Sequence, residues 1–233
     1  MRVYKRRFFH RLTLVASYAE IAEENNLEMK KISVLVFFSL ISCSKNSFQI
    51  ENGFTKINNQ YQDRNKLIEQ IKPNKEYTYW EYVKFTPDIG NSQKEIIRKC
   101  GDTLIRNNYT FYSPESGFFT ECQPSTCFSY IAYIENDDVK YVTDEIELKK
   151  FIGNIDNVEE AILISEIYDL WFDPKEKKAG SFKKTDNGFE LYMMKYNGCP
   201  ETKESIKVEI DSIGNFKSKN NGIYYKSNIC FMS

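Results

Sequence analysis

Histidine is nearly missing from this chain of 233 residues: the single imidazole is His10. Beyond it, neither a Ser-His-Asp nor a Cys-His arrangement can be built, and zinc or copper held by imidazole is excluded. Long apolar runs are missing too. The most apolar stretch, Ile32 to Ile41, is interrupted by Ser33 and Ser39. As a helix it would rise about 15 Å, half of a bilayer core, which is too short to span. There is no phosphate-cradling glycine loop, dinucleotide fingerprint or nucleophile elbow, and no internal repeat. Asn136-Asp137-Asp138 has turn chemistry but lacks the ligand spacing of a calcium loop. None of this calls for a cofactor.

What is present begins with Lys30 and Lys31, followed by Ile32 to Ile41 and then Ser42 and Cys43. A short positive region before an apolar one of this length is the pattern of a secretory signal. Leu40-Ile41-Ser42-Cys43 resembles the lipobox of bacterial lipoproteins. The resemblance covers Met29 to Cys43 and implies nothing about the fold that follows. It implies cleavage between Ser42 and Cys43, with diacylation of Cys43 and usually a further acyl chain on the new N-terminus. Each buried methylene contributes about 0.8 kcal/mol, so two or three chains make attachment effectively permanent. The partner so implied is a membrane, reached through the N-terminal acyl chains.

Residues 1–28 fit badly before such a signal, being basic at Arg2, Lys5, Arg6, Arg7 and Arg11 and acidic from Glu20 to Glu28. They are expected to be a mis-assigned extension, with translation starting at Met29. Arg6-Arg7-Phe8-Phe9 resembles a twin-arginine signal only faintly, because His10 and Arg11 break the apolar run behind it.

Residues 43–233 carry 25 Lys and Arg against 29 Asp and Glu, a net charge of −4. A mildly acidic chain without a basic block has no electrostatic footprint for nucleic acid. Its many Lys, Asn, Ile, Tyr and Phe residues are all encoded by AT-rich codons, and it resembles lipoproteins of AT-rich bacteria such as flavobacteria. That resemblance implies the outer membrane. Many surface-exposed flavobacterial lipoproteins carry an acidic cluster after the acylated cysteine. Ser44-Lys45-Asn46-Ser47-Phe48 has none, which favours the periplasmic side.

Cys100, Cys122, Cys127, Cys199 and Cys230 follow the anchor. In an exported protein they read as disulfide partners, one of them left over. Cys199 and Cys230 each follow an expected strand and are the favoured pair. The second bridge is Cys122–Cys127 or joins Cys100 to one of those two. Four residues separate Cys122 from Cys127, against two in a thioredoxin-like redox motif.

Periodicity gives the rest. Residues 44–56 read as a polar tether within an expected 43–56 linker. Ile57, Tyr61, Leu67, Ile68 and Ile71 predict one amphipathic helix ending before Pro73. Tyr77 to Phe85 predicts a strand, with Trp80, Tyr82 and Lys84 on one face. Glu95 to Cys100 predicts a short helix, Thr103 to Tyr112 a strand, and Phe128 to Glu135 with Val139 to Val142 a hairpin. Asp144 with Glu147, and Asn157 with Glu160, form capping signatures that open two helices. The second, running to Tyr168 with Trp171 continuing its apolar side, is apolar enough to belong in the core. Asp186-Asn187-Gly188 and Asn221-Gly222 mark turns in a C-terminal meander. The expected architecture is a single α+β domain over 57–233, an antiparallel sheet packed against two or three helices.

Three functional classes follow. The first is a non-catalytic binding or accessory protein of the cell envelope, acting on another envelope protein through a sheet face or edge. The second is glycan binding by exposed Trp80 and Tyr82 rings. The third is a carboxylate-dependent hydrolase, with Glu159, Glu160, Glu166 and Asp169 the only acids concentrated beside an apolar helix.

Overall fold

The computed structural model of the protein describes residues 48–88, 90–122 and 126–230. The signal, Ser42 and Cys43 lie outside the described residues. The fold is α+β with antiparallel sheets, as expected, but there are two sheets rather than one. Strands β2 (Tyr79–Thr86), β3 (Gln93–Gly101), β4 (Phe118–Glu121), β5 (Cys127–Glu135) and β6 (Asp138–Val142) form the first. Its order is β3-β2-β5, with β4 and β6 both pairing β5. The second runs β1 (Thr55–Lys56), β7 (Ser181–Thr185), β8 (Gly188–Gly198), β9 (Glu201–Asp211), β10 (Phe216–Lys226) in spatial order.

Among the described residues four α-helices complete the fold: α1 (Arg64–Ile68), α2 (Thr103–Arg106), α3 (Glu145–Ile152) and α4 (Val158–Ile167). Alternation places Trp80, Tyr82 and Ile131 on one face of the first sheet, and Leu191, Met193, Val208 and Ile210 on one face of the second. Both faces join a single core with α3 and α4. In α4 every residue from Glu160 to Glu166 is buried, because its sequence offers no polar stripe to water. A smaller core of Val83, Phe128, Tyr130 and Ala132 lies on the other face of the first sheet, beneath Phe111.

Both capping signatures form. The Asp144 side chain accepts from the Glu147 N–H at 2.8 Å, and the Asn157 side chain from the Glu160 N–H at 2.8 Å. The hairpin at Asn136-Asp137 also forms, with φ of 54° and 65° at its two turn residues.

Five expectations are corrected. The helix expected over 57–71 is split into a 3-10 turn, Asn59–Gln62, and α1, because Asn58 and Asp63 each cap a new start. The helix at 95–100 is strand β3, paired along its length with β2, and the strand at 103–112 begins as helix α2, capped by Asp102. Gly101 ends the strand rather than a helix; a Cβ there would meet the Thr78 carbonyl oxygen at 2.3 Å. Asn221-Gly222 is a bulge inside β10, not a turn. The domain also begins before residue 57: Phe54 is buried, and Phe48 and Phe54 pack on Tyr192 with ring centroids 5.2 and 4.5 Å away.

The disulfides are Cys122–Cys127 and Cys199–Cys230, with Cys100 free and exposed on β3. Asp173 ties the second sheet to the segment after α4, accepting from the Lys175 N–H at 2.9 Å, Lys203 Nζ at 3.2 Å and the Tyr224 hydroxyl at 3.1 Å.

Ile164, fully buried in α4, sets the scale of the core. Ile164→Ala is expected to cost about 2–5 kcal/mol, whereas Asn157→Ala, which removes only a cap, costs about 1 kcal/mol. Urea titrations of both variants check the ranking; equal losses would mean that α4 is not the packed centre.

Candidate functional site

Where the helices stop covering the first sheet, its inner face opens. The row Trp80–Tyr82–Lys84 on β2 runs outward from the core, paired with Tyr133, Ile131 and Ser129 on β5. Trp80 is 2 % exposed and Tyr82 1 %. The exposed stacking platform expected of these two rings is therefore absent: Arg98 lies 4.8 Å over the Trp80 ring, and Phe151 and Phe118 pack on the two rings. The two rings do share a face, but helix α3 and strand β4 cover it. Of the two, Tyr82 lines the inner end of a groove of about 420 Å³.

That groove is lined by α1, the β2–β5 row and the turn after α4. Ile97 enters it as the extra residue of a bulge in β3 opposite Tyr82–Val83. Phe119 closes one side. It lies in an irregularity of the β4–β5 pairing and has φ of 52°, a conformation that bulky residues rarely adopt. The Cys122–Cys127 disulfide closes the same hairpin, and the Arg64 guanidinium sits 4.3 Å over the Phe119 ring. Arg64 Nε donates to Glu166 Oε2 at 2.7 Å. A second hollow of about 230 Å³ shares Arg64, Phe119, Glu166 and Trp171 and adds Glu145 and Asp169.

Trp171 was expected to continue the buried side of α4. The helix instead stops at Ile167 and Asp169 turns the chain at φ of 56°. Trp171 then bridges by backbone to Met194 and leaves its ring 38 % exposed at the groove. The aromatic that could stack on a ligand is thus the other tryptophan.

The four candidate acids divide. Glu159 accepts from the Tyr61 hydroxyl. Glu160 points inward, accepting from the backbone N–H of Lys72 at 2.8 Å and of Asp156 at 3.3 Å. Burial pushes its carboxyl above the usual range, and those two N–H groups only partly offset the effect. Glu166 and Asp169 alone share a hollow, with Glu145. Among the described residues no cluster of three or more His, Cys, Asp or Glu side chains could hold a metal ion.

Sequence reasoning placed Lys84 on the Trp80–Tyr82 face without giving it a role, and missed Arg64, Phe119 and Ser129. None belongs to a motif, and they meet only because two bulged strands and a short helix end at one place. Comparisons with protein-family models, with curated proteins and with solved structures find no match.

The buried Glu160 gives a sign to the pH dependence. A carboxyl whose folded value is raised stabilises the fold below its unfolded value of about 4.3, and that contribution is lost as pH rises through the folded value. The stability difference between wild type and Glu160→Gln is therefore expected to shift against wild type as pH climbs from about 4. A difference independent of pH, in urea titrations across pH 3.5 to about 8, would contradict a buried protonatable Glu160.

Proposed function

We propose that the protein is a lipid-anchored component of the cell envelope, held on the periplasmic side of the outer membrane, that acts by binding. The anchor is Cys43, acylated after cleavage following Ser42. Two features support export: the lipobox-like Leu40-Ile41-Ser42-Cys43 and two disulfides, which persist in oxidising compartments. Among the described residues no helix is long and apolar enough to cross a membrane, so acylation is the means of attachment in this reading.

The observation that carries binding is the groove at Arg64, Phe119 and Trp171. Backbone strain persists only where the surroundings hold it in place, and it collects at ligand sites. Outside the Asn136-Asp137 turn, two of the three described non-glycine residues with positive φ, Phe119 and Asp169, line this groove or its neighbouring hollow. A half-exposed tryptophan beside a fixed ion pair suits an occupant with one flat apolar side and polar groups at its rim. In this reading that occupant is a segment of another envelope protein.

Intact mass and membrane fractionation of the chain expressed with its own signal test the anchor. The expected mass is that of residues 43–233 plus acyl chains, and Cys43→Ala is expected to stay unprocessed or to leave the membrane. A soluble, unacylated chain retaining residues 1–42 would overturn the localisation. For the groove, Trp171→Ala is expected to lower recovery of a cross-linked envelope partner at least about tenfold, the range of an interface anchor. It should change stability by less than about 1 kcal/mol, as a surface substitution does. Unchanged recovery would remove the groove from the binding surface.

A further inference from the structure

We propose that the cleft between residues 48–51 and the outer face of strands β9 and β10 binds a phosphate group. The cleft has a volume of about 520 Å³. It lies on the face of the second sheet that points away from the core, where Tyr192, Lys207 and Lys219 stand in one row across β8, β9 and β10. Phe48 packs edge-on against Tyr192 and Glu51 reaches Lys207 Nζ at 2.8 Å, so the entering chain forms one wall.

Among the described residues three donors in this cleft make no hydrogen bond, although Lys217 lies in the field of Asp211. Lys217 and Lys219 project to the same side of β10 by strand alternation. Neither makes a hydrogen bond or ion pair among the described residues, whereas Lys207 is neutralised by Glu51 and Glu190. The Asn221 Nδ2 group is buried with no acceptor, and a buried donor left unmet is costly. Lys207 and Lys219 are directly opposed across the ladder, and the two carboxylates on Lys207 offset that like-charge pairing. Glu209, opposite Lys217, is the one further carboxylate on the wall. An anion with several oxygens, seated between Lys217, Lys219 and the Asn221 amide, would satisfy all three donors. A phosphate monoester or diester has that charge and oxygen count.

The source of the phosphate rests on the lipid-anchor reading. Phe48 is five residues beyond Cys43, and five residues reach about 18 Å at most. An acylated Cys43 therefore holds this cleft within reach of headgroup phosphates, and the outer face of the second sheet lies against the bilayer surface.

In the full-length chain carrying Cys43→Ala, which cannot be acylated, the retained Lys30-Lys31 and apolar segment contribute equally with and without substitution of Lys217 and Lys219, so the difference between the two reads the site. That chain is mixed with phosphatidylcholine vesicles, with and without phosphatidylglycerol, and separately titrated with inorganic phosphate by calorimetry. Binding is expected to be strongest with phosphatidylglycerol, whose phosphate charge no choline cation offsets, and to be competed by inorganic phosphate. Lys217→Gln/Lys219→Gln should weaken it about thirtyfold, as for two lysines near an anionic surface. Binding of inorganic phosphate without vesicle binding would support the site and assign it to a soluble phosphate ester. Binding of neither probe would overturn the proposal. So would equal weakening by the control pair Lys99→Gln/Lys195→Gln, which would reduce the effect to general charge. Failure of the anchor shows separately, as an unacylated mass of the unmutated chain.

Discussion

The fold depends on one constraint: α4 has no face that water can wet. Ala161, Ile162, Leu163 and Ile164 are each fully buried, so a single sheet cannot cover the helix. Two are needed, and the chain supplies one before α4 and one after it. A fully buried aliphatic side chain contributes about 1.5–3 kcal/mol. Much of the favourable balance therefore sits in this one helix and the inner faces that meet it. The polar groups that α4 does carry stand toward its two ends. Glu160 turns back to accept two backbone N–H groups from neighbouring segments. Glu166, near the other end, takes Arg64.

The groove is a by-product of that arrangement. A ten-residue helix is about 15 Å long, while β2 and β5 continue past its end. Beyond Tyr82 the inner face of the first sheet borders the groove rather than the core, and its residues change from core types to Lys84 and Ser129. Arg64 and Glu166 close the exposed edge of the core where α1 and α4 meet. Their ion pair is only partly buried, which limits its desolvation cost. A rigid polar rim beside a half-exposed ring is the result.

What could be read from the residues was local. Caps at Asp144 and Asn157, the Asn136-Asp137 hairpin and the Gly188 turn each rest on contacts within a few positions, and each forms. The burial of α4 was also legible, because its composition leaves no alternative. What failed was decided by distant partners. Glu95 to Cys100 is a strand because β2 offers it a ladder, not because of its own pattern. Asn221-Gly222 looked like a turn until β9 was seen to continue alongside it. Trp80 and Tyr82 were placed on the right face, yet nothing in β2 says that Arg98, Phe118 and Phe151 would cover them. Trp171 escaped because one residue, Asp169, leaves the helical region and redirects the ring.

The two proposed surfaces are compatible because of where the chain enters. Residues 48–54 cross the outer face of the second sheet, and the inner face of that sheet is filled by α4 and the core. The groove lies beyond that core, on the inner side of the first sheet. An acylated Cys43 five residues before Phe48 would hold the outer face of the second sheet at the bilayer, with the core between membrane and groove. The short connection would then set orientation as well as location. A tether of several tens of residues would leave the domain free to tumble, and the face presented to a partner would be a matter of chance. With five residues, and with Phe48 and Glu51 already fixed to the sheet, the proposed anchor would turn the groove toward the aqueous side, where the proposed envelope partner would approach it.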